Sequence, residues 1–346
     1  MKTFCDSYDD LISLESLFQA WNKFKRGKRG KRDVQLFERN LEDNLFELYH
    51  LLTTKTYRHS GYQEFYVNDP KRRHIHKACV RDRIVHHLLY KYLYELFDKT
   101  FIYDSYSCRN NKGTHRAVRR LEYFARKISR NYTCDFWFLK LDIKKFFESV
   151  DHGVLLSLIR IKVKDEDIIW LIQNVIDSFW IPNQVDNNNK CGIPLGNLTS
   201  QIFANIYMNE LDQFIKHRLK VKYYLRYADD FIFLSENKRF LFPCIDTSQQ
   251  FLKQSLKLGL HPKKIILKKF SWGIDFCGYI VLPHYTLPRT KTKRRMFMKF
   301  DVRTKNYFKG KIDRFSLEQT RASYFGYLSH ANAYKVFRKI QNELPF

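Results

Sequence analysis

Two adjacent carboxylates interrupt an otherwise apolar, strand-forming stretch, Tyr223-Tyr224-Leu225-Arg226-Tyr227-Ala228-Asp229-Asp230-Phe231-Ile232-Phe233-Leu234. Aspartate is a poor strand residue and favours turns, so the pattern reads as a β-hairpin with Asp229 and Asp230 at its tip. Carboxylate oxygens gathered at a tip suit a hard divalent cation such as Mg²⁺, whose shell substrate phosphates complete. A pair of acids in a turn is most often merely solvated; a third carboxylate in a matching context changes the weight. Phe136-Trp137-Phe138-Leu139-Lys140-Leu141 is a second apolar strand, and it ends in Asp142. Paired beside the hairpin, it brings Asp142 to the same sheet edge as Asp229. Two ions about 3.5–4 Å apart in such a set clamp the attacking and leaving oxygens of a phosphoryl transfer.

Charge narrows the partner. The 346 residues carry a net charge of +26. An enzyme of small metabolites needs no such field, whereas a phosphate backbone exchanges condensed counterions for each contacting Lys or Arg. Aromatic residues, 16% of the chain, supply platforms on which bases stack. No membrane partner is expected, since no apolar stretch approaches the ~18–20 residues of a span. The length allows two or three subdomains with a sizeable core. Met1-Lys2-Thr3-Phe4-Cys5-Asp6 has no signal-peptide pattern. The cysteines are scattered and form no Cys-x-x-Cys, which reads as reduced thiols in a cytoplasm and no zinc site.

Along the chain, hydrophobic periodicity predicts a helix over 10–24 and another over 34–52, the latter with Phe37, Leu41, Leu45, Leu48 and Leu51 on one face. Between them Lys25-Arg26-Gly27-Lys28-Arg29-Gly30-Lys31-Arg32 reads as a flexible basic loop suited to phosphates. Phe65 to His76 reads as a hairpin around an Asp-Pro turn, carrying guanidinium groups suited to a triphosphate. The next helix runs to Phe97. Its adjacent His86 and His87 point in different directions, so one metal held by both is not expected. A loop over 104–113 precedes a helix from Thr114 to Ile128. Residues 181–192, with Asn187-Asn188-Asn189, read as a polar loop. Gly192 to Gln201 then leads into a helix with Thr199 or Ser200 as its N-cap. A helix over 247–258, a strand over 265–267, and a strand over 276–281 with Gly278 at a bulge or close approach follow. From Arg289 to Arg314 there are eleven Lys/Arg against Asp301 and Asp313, and a helical segment spans 315–342.

The blocks Phe65–His76, Asp104–His115, Leu141–Phe147, Gly192–Gln201, Tyr227–Asp230 and Phe276–Tyr279 stand in the order found in a reverse transcriptase, and the resemblance spans roughly residues 15–340. The chain most resembles the reverse transcriptases of diversity-generating retroelements. Where most reverse transcriptases read Gln-Gly-x-x-x-Ser-Pro, it reads Leu195-Gly196-Asn197-Leu198-Thr199-Ser200-Gln201. Asp69-Pro70-Lys71, Asp82-Arg83-Ile84-Val85-His86-His87, Asp104-Ser105-Tyr106-Ser107-Cys108-Arg109 and Lys112-Gly113-Thr114-His115 also resemble that subfamily.

The resemblance implies an α+β, right-hand polymerase fold. Its parts are an N-terminal helical and basic segment (1–60), fingers (61–134), a palm with an antiparallel sheet (135–285, with a fingers-like insertion about 153–195) and a small helical thumb (286–346). It implies RNA-directed DNA synthesis with two Mg²⁺ ions, or Mn²⁺ in their place, held by Asp142, Asp229 and the backbone of Ile143, with Asp230 in support. Arg73, Phe147, Leu195, Gly196, Gln201 and Lys264 are implied at the nucleotide. Among these, Phe147 would be the gate against a 2′-OH unless it is a core residue, and Lys263 competes with Lys264 at the pyrophosphate. Phe276, Cys277, Gly278 and Tyr279 resemble a primer grip. Lys25, Arg26, Lys28, Arg29, Lys31, Arg32, Arg294 and Arg295 are implied to meet nucleic acid. The implied partners are a template RNA, the RNA/cDNA duplex, dNTPs and an accessory variability protein (Avd), a basic pentamer, in a bacterial or phage-encoded system. Such enzymes make errors at template adenines, and their cDNA diversifies a protein-coding region. A retron, group II intron-derived or phage-defence reverse transcriptase is the alternative, and a non-catalytic RNA-binding protein stands further off.

Overall fold

The computed structural model describes residues 7–69, 71–181 and 190–342. The Asn187-Asn188-Asn189 loop and Pro70 lie outside them. The elements in chain order are α1 (Tyr8–Ile12), α2 (Leu14–Phe24), α3 (Arg32–Arg39), α4 (Leu41–Thr53), β1 (Gln63–Val67), β2 (Arg73–Lys77), α5 (Val80–Phe97), α6 (Thr114–Ile128), β3 (Trp137–Asp142), α7 (Phe146–Ser149), α8 (His152–Arg160), α9 (Glu166–Asp177) and α10 (Leu198–Gln213). The hairpin β4 (Tyr223–Tyr227) and β5 (Asp230–Ser235) follows, then α11 (Lys238–Leu256), β6 (Ile266–Lys269), β7 (Ile274–Phe276), β8 (Tyr279–Leu282), β9 (Tyr285–Pro288), α12 (Thr290–Phe308), α13 (Arg314–Leu328) and α14 (Tyr334–Asn342). Among the described residues no helix is long and apolar enough to cross a membrane.

Local chemistry moves several boundaries away from those the periodicity predicts. The helix expected over 10–24 breaks at Ser13, which leaves helical geometry so that its hydroxyl can accept from the Ser16 amide at the start of α2. The helix expected over 34–52 breaks at Asn40. Its buried face is Val34, Leu45, Leu48 and Leu52, with Phe37, Leu41 and Leu51 only half-buried. Neither Thr199 nor Ser200 caps α10, because both hydroxyls have other work. Thr199 Oγ1 is hydrogen-bonded to His86 Nδ1 at 2.6 Å, and Ser200 Oγ donates to the Pro194 carbonyl at 2.7 Å. Asn197 holds the cap position and turns its amide away, donating to the His76 carbonyl at 2.8 Å. α11 begins at Lys238 and carries Pro243 in its second turn, where the missing N–H forfeits a bond near the helix start. The run from Phe276 is not one strand. Cys277 and Gly278 both take positive φ, 49° and 90°, and turn the chain back between β7 and β8.

The chain forms two compact units. One comprises Met1–Tyr103, Asp142–Lys220 and Asp246–Lys263. α5 packs on α2 and α10, and Val85 and Leu89 of α5, Leu17 and Trp21 of α2, and Ile202 and Ile206 of α10 are all buried. Asp82 lies fully buried there, accepting from Tyr57 Oη and the Ser60 amide, both at 2.9 Å. Burial pushes that carboxyl up, but His59 and the bonds from Cys79, Ser60 and Tyr57 outweigh it and hold Asp82 below its ordinary value. His86 and His87 part company as expected: His86 meets Thr199 and His59, while His87 lies edge-on to Phe24.

The other unit comprises Asp104–Leu141, Val221–Ile245 and Lys264–Phe346. It contains a sheet in the order β4-β5-β3-β6 and a second sheet in the order β7-β8-β9. β3 runs antiparallel to β6 and β4 antiparallel to β5. α6 contributes Leu121, Phe124 and Ala125 to a core with Phe136, Phe138, Leu225, Ile232, Phe276 and Tyr279. α12, α13 and α14 share a smaller core of Met296, Phe300, Leu317, Leu328 and Ile340.

Candidate active site

Tyr227 pairs with Asp230, so Ala228 and Asp229 alone make the turn between β4 and β5. Asp230 is therefore the first residue of β5 and does not share the tip as expected. Ala228 takes φ 55°, a left-handed conformation that costs a non-glycine residue about 1–2 kcal/mol and needs outside support. Arg226 supplies it. That side chain is fully buried; Nη1 donates to the Ala228 carbonyl at 3.0 Å and Nη2 to Ser105 Oγ at 3.1 Å. The Arg226 backbone also receives the Asp104–Tyr106 segment: its amide donates to the Asp104 carbonyl and its carbonyl accepts from the Tyr106 amide. The Asp104-Ser105-Tyr106 block thus acts as a flanking rail for the carboxylate turn.

β3 lies next to β5. Lys140 on β3 places Nζ 3.1 Å from Asp230 Oδ2 and donates to the Asp275 carbonyl at 2.9 Å. β3 continues from Lys140 to its end at Asp142. An ammonium already neutralises Asp230, which suits a supporting carboxylate rather than a principal ligand. Tyr227 Oη is hydrogen-bonded to Thr114 Oγ1 at 3.2 Å, and its ring stands edge-on to Phe276. The Cys277–Gly278 turn is fixed from outside: the Gly278 carbonyl accepts from the Arg289 amide at 2.9 Å and from Tyr327 Oη. A Cβ on Gly278 would meet Tyr327 Oη at 3.2 Å. Burial, with Asp230 next, pushes the Cys277 thiol far up, so it is no nucleophile. Lys264 is half-buried and Lys263 exposed at the chain's approach to β6.

In the first unit, the backbone around Asp142 bridges the 259–261 segment. The Asp142 carbonyl accepts from the His261 amide at 2.8 Å, and the Lys144 amide donates to the Gly259 carbonyl at 2.9 Å. Ladder alternation then turns the Ile143 carbonyl away from that segment. Asp142 itself is 8% exposed. These donors are all oxygen, the set a hard divalent cation takes.

Backbone hydrogen bonds tie Leu195 to the strand that Arg73 opens, and Phe147 to Ile193. Arg73 opens β2, exposed. Three residues on, the His76 amide donates to the Leu195 carbonyl at 2.9 Å, and the Ile193 amide donates to the Phe147 carbonyl at 2.8 Å. Gly196, next after Leu195, has φ 112°, and a Cβ there would meet Ile75 Cγ2 at 2.8 Å, so the hairpin lies directly on this turn. Phe146 is buried in the core, and Phe147 beside it is half-exposed. Gln201 is exposed on α10. In the basic loop Lys25 pairs with Glu38 at 3.5 Å and Lys28 donates to the Phe24 carbonyl, while Arg26, Arg29 and Lys31 are exposed and Arg32 already begins α3. Arg294 is exposed and Arg295 half-buried on α12.

The family described as "Reverse transcriptase (RNA-dependent DNA polymerase)" matches residues 68–281, a span that holds the strands β2 and β3 and the Asp229 turn. The chain belongs to the reverse transcriptase family. Among its curated relatives are the group II intron-encoded protein LtrA of Lactococcus lactis subsp. cremoris, 26% identical over 185 residues, 53% of this chain and 30% of that protein. The putative COX1/OXI3 intron 2 protein of Saccharomyces cerevisiae is 20% identical over 84% of this chain and 40% of that protein. The chain thus spans well under half the length of either. A telomerase from Candida albicans, solved with a fragment of telomeric RNA, matches 75% of this chain and 55% of its own at a TM-score of 0.50 and 11% identity. The fold is the α+β, right-hand polymerase fold. Arg226 and Lys140 are the residues that reading the sequence as apolar strands passes over. The signal was present: a cation inside a strand destined for burial must find acceptors.

Proposed function

We propose that this reverse transcriptase is the polymerase of a diversity-generating retroelement, copying a template RNA into cDNA with errors concentrated at adenines. The support for polymerisation is the family match together with a carboxylate turn held by Arg226 beside a strand that ends in Asp142. Asp142, Asp229 and the Ile143 carbonyl would hold a pair of divalent cations, Mg²⁺ by their oxygen chemistry. When bound, such ions lower the charge of the reacting phosphate and stabilise both the attacking and leaving oxygens. In the reaction the primer 3′-oxygen bonds to the α-phosphorus of a dNTP and the bond to pyrophosphate breaks. Lys140 keeps Asp230 neutralised and Arg226 fixes the turn, so Asp229 is presented without rearrangement. Arg73 would meet the triphosphate, and Phe147, half-exposed and tied to Ile193, would stand against a ribose 2′-OH.

The support for the finer reading is Leu195. A glutamine there offers an amide able to hold nucleotide and template in one geometry, whereas leucine fills similar space with no hydrogen bond. Catalysis depends steeply on positioning, and a loss of ~1.4 kcal/mol borne more by the correct pair costs about tenfold in fidelity. An intron-type reverse transcriptase is the second reading, favoured by the intron-encoded relatives. Sequencing cDNA made on one RNA by the wild type and by Leu195→Gln separates them. The retroelement reading expects an adenine-biased error spectrum in the wild type that falls in the variant. A flat spectrum in both favours the intron type. In the retroelement reading an Avd-like pentamer is the accessory partner.

A further inference from the structure

The hairpin β1–β2 carries a set of side chains that the polymerase reading does not use. Glu64 on β1 pairs directly opposite His76 on β2. His74 and His76 are two residues apart on one strand, so they share a face, and Glu64 shares it with them. The donor atoms of Glu64, His74 and His76 all lie within 4.8 Å of one another. His74 Nε2 is 3.0 Å from Glu64 Oε2, and His76 Nε2 is 3.8 Å from Glu64 Oε1. Donors at such spacings around an ion with bonds of about 2.0–2.2 Å match three corners of a tetrahedron.

The surroundings favour a site rather than a loose ion pair. Tyr66 stacks on His74 with centroids 4.5 Å apart and planes within 9°, and Phe179 meets the His76 ring at 4.5 Å. Both imidazoles are thereby held in place. Glu64 is exposed, which leaves a solvent side from which an ion and a fourth, water ligand can enter.

We propose that Glu64, His74 and His76 form a binding site for a borderline transition-metal dication, Zn²⁺ above all. Two imidazoles and a carboxylate favour Zn²⁺ over the Mg²⁺ that an all-oxygen set takes. The ion cross-links two strands that, as an isolated two-stranded hairpin, would be marginally stable. It also grips His76, whose amide donates to Leu195 and whose carbonyl accepts from Asn197. Zn²⁺ thereby stiffens the contact between the hairpin and the 192–197 turn. Among the described residues, the buried His76 Nδ1 has no hydrogen-bond partner.

The experiment is Co²⁺ titration of the metal-stripped full chain, with excess Mg²⁺ present, read by visible absorption and followed by displacement with Zn²⁺. Wild type, His74→Ala and Glu64→Gln are compared; the other histidines and all the cysteines are common to the three. The proposal expects a tetrahedral Co²⁺ band in the wild type that Zn²⁺ removes, and at least about tenfold weaker binding in each variant. It also expects Zn²⁺ to slow hydrogen exchange at the His76 amide in the wild type alone. Glu64 is exposed, so Glu64→Gln keeps the comparison sound should His74→Ala disturb the fold. Equal Co²⁺ binding and equal His76 exchange in wild type and Glu64→Gln would overturn it.

Discussion

The Arg226 guanidinium donates to the Ala228 carbonyl across 3.0 Å, and through that bond a fully buried cation holds the left-handed turn that carries Asp229. A lysine cannot serve Ala228 and Ser105 together with the same planar geometry. Arg226→Lys is expected to cost about 1–3 kcal/mol of stability, from a buried acceptor left unsatisfied. It is also expected to lower the turnover of nucleotide incorporation by an order of magnitude or more, with little change in the KM for dNTP. Urea unfolding and steady-state primer extension measure the two. Unchanged turnover in a folded variant would make Arg226 a purely structural residue.

The basic loop yields a salt dependence. Arg26, Arg29 and Lys31 are exposed, as is Arg32 at the start of α3, with Arg29 3.7 Å from Glu38, whereas Lys25 and Lys28 are half-buried and engaged with the protein. Replacing the four exposed cations by glutamine should reduce the slope of log affinity for single-stranded RNA against log salt by about 0.7 per lost phosphate contact. Replacing Lys25 and Lys28 should change it much less. Filter binding over a salt series gives both slopes, and an unaltered slope in the fourfold variant would remove the loop from the RNA interface.

A pH dependence follows from His86. Burial, and then the neighbouring His59, push its imidazole down to about 3, so it is neutral in the folded chain at pH 7. The unfolded chain takes up that proton near pH 6.5. Between those values the unfolded state binds more protons, so stability is full above about pH 6.5 and falls as pH drops towards 3. The loss at pH 5 amounts to about 2 kcal/mol from this residue. His87, held down to about 4 by burial and then by Lys28, acts in the same direction. Denaturant unfolding at pH 7.5 and pH 5 should show a smaller loss in His86→Asn than in the wild type; an equal loss would mean that His86 is protonated in the folded state.

Much of this chemistry was legible in the order of residues. Strand periodicity around Asp142 and Asp229, and the +26 charge, depend on local pattern and composition, and the structure places those strands side by side. The roles of Thr199, Ser200 and Asn197 were not legible. Each is a good N-cap by type, and only the tertiary neighbours His86, Pro194 and His76 decide where its hydrogen bonds go. The strand expected through Cys277 and Gly278 failed because a residue other than glycine, at φ 49°, turns the chain, held by Arg289 and Tyr327 from far along the sequence. The cysteine pattern argued against a zinc site, and it was silent on Glu64, His74 and His76, whose proximity comes from strand register.

The central claim is that Asp229 holds metal for phosphoryl transfer at a turn preset by the fold. Asp229→Asn keeps the shape of the turn and removes the charge. Single-nucleotide primer extension by this variant, with RNA binding measured on the same preparation, is the most direct test. Incorporation should fall by about 10³-fold or more while RNA affinity stays within about twofold of the wild type. Incorporation near the wild-type rate, by a variant that still binds RNA, would contradict the assignment of this turn as the catalytic centre.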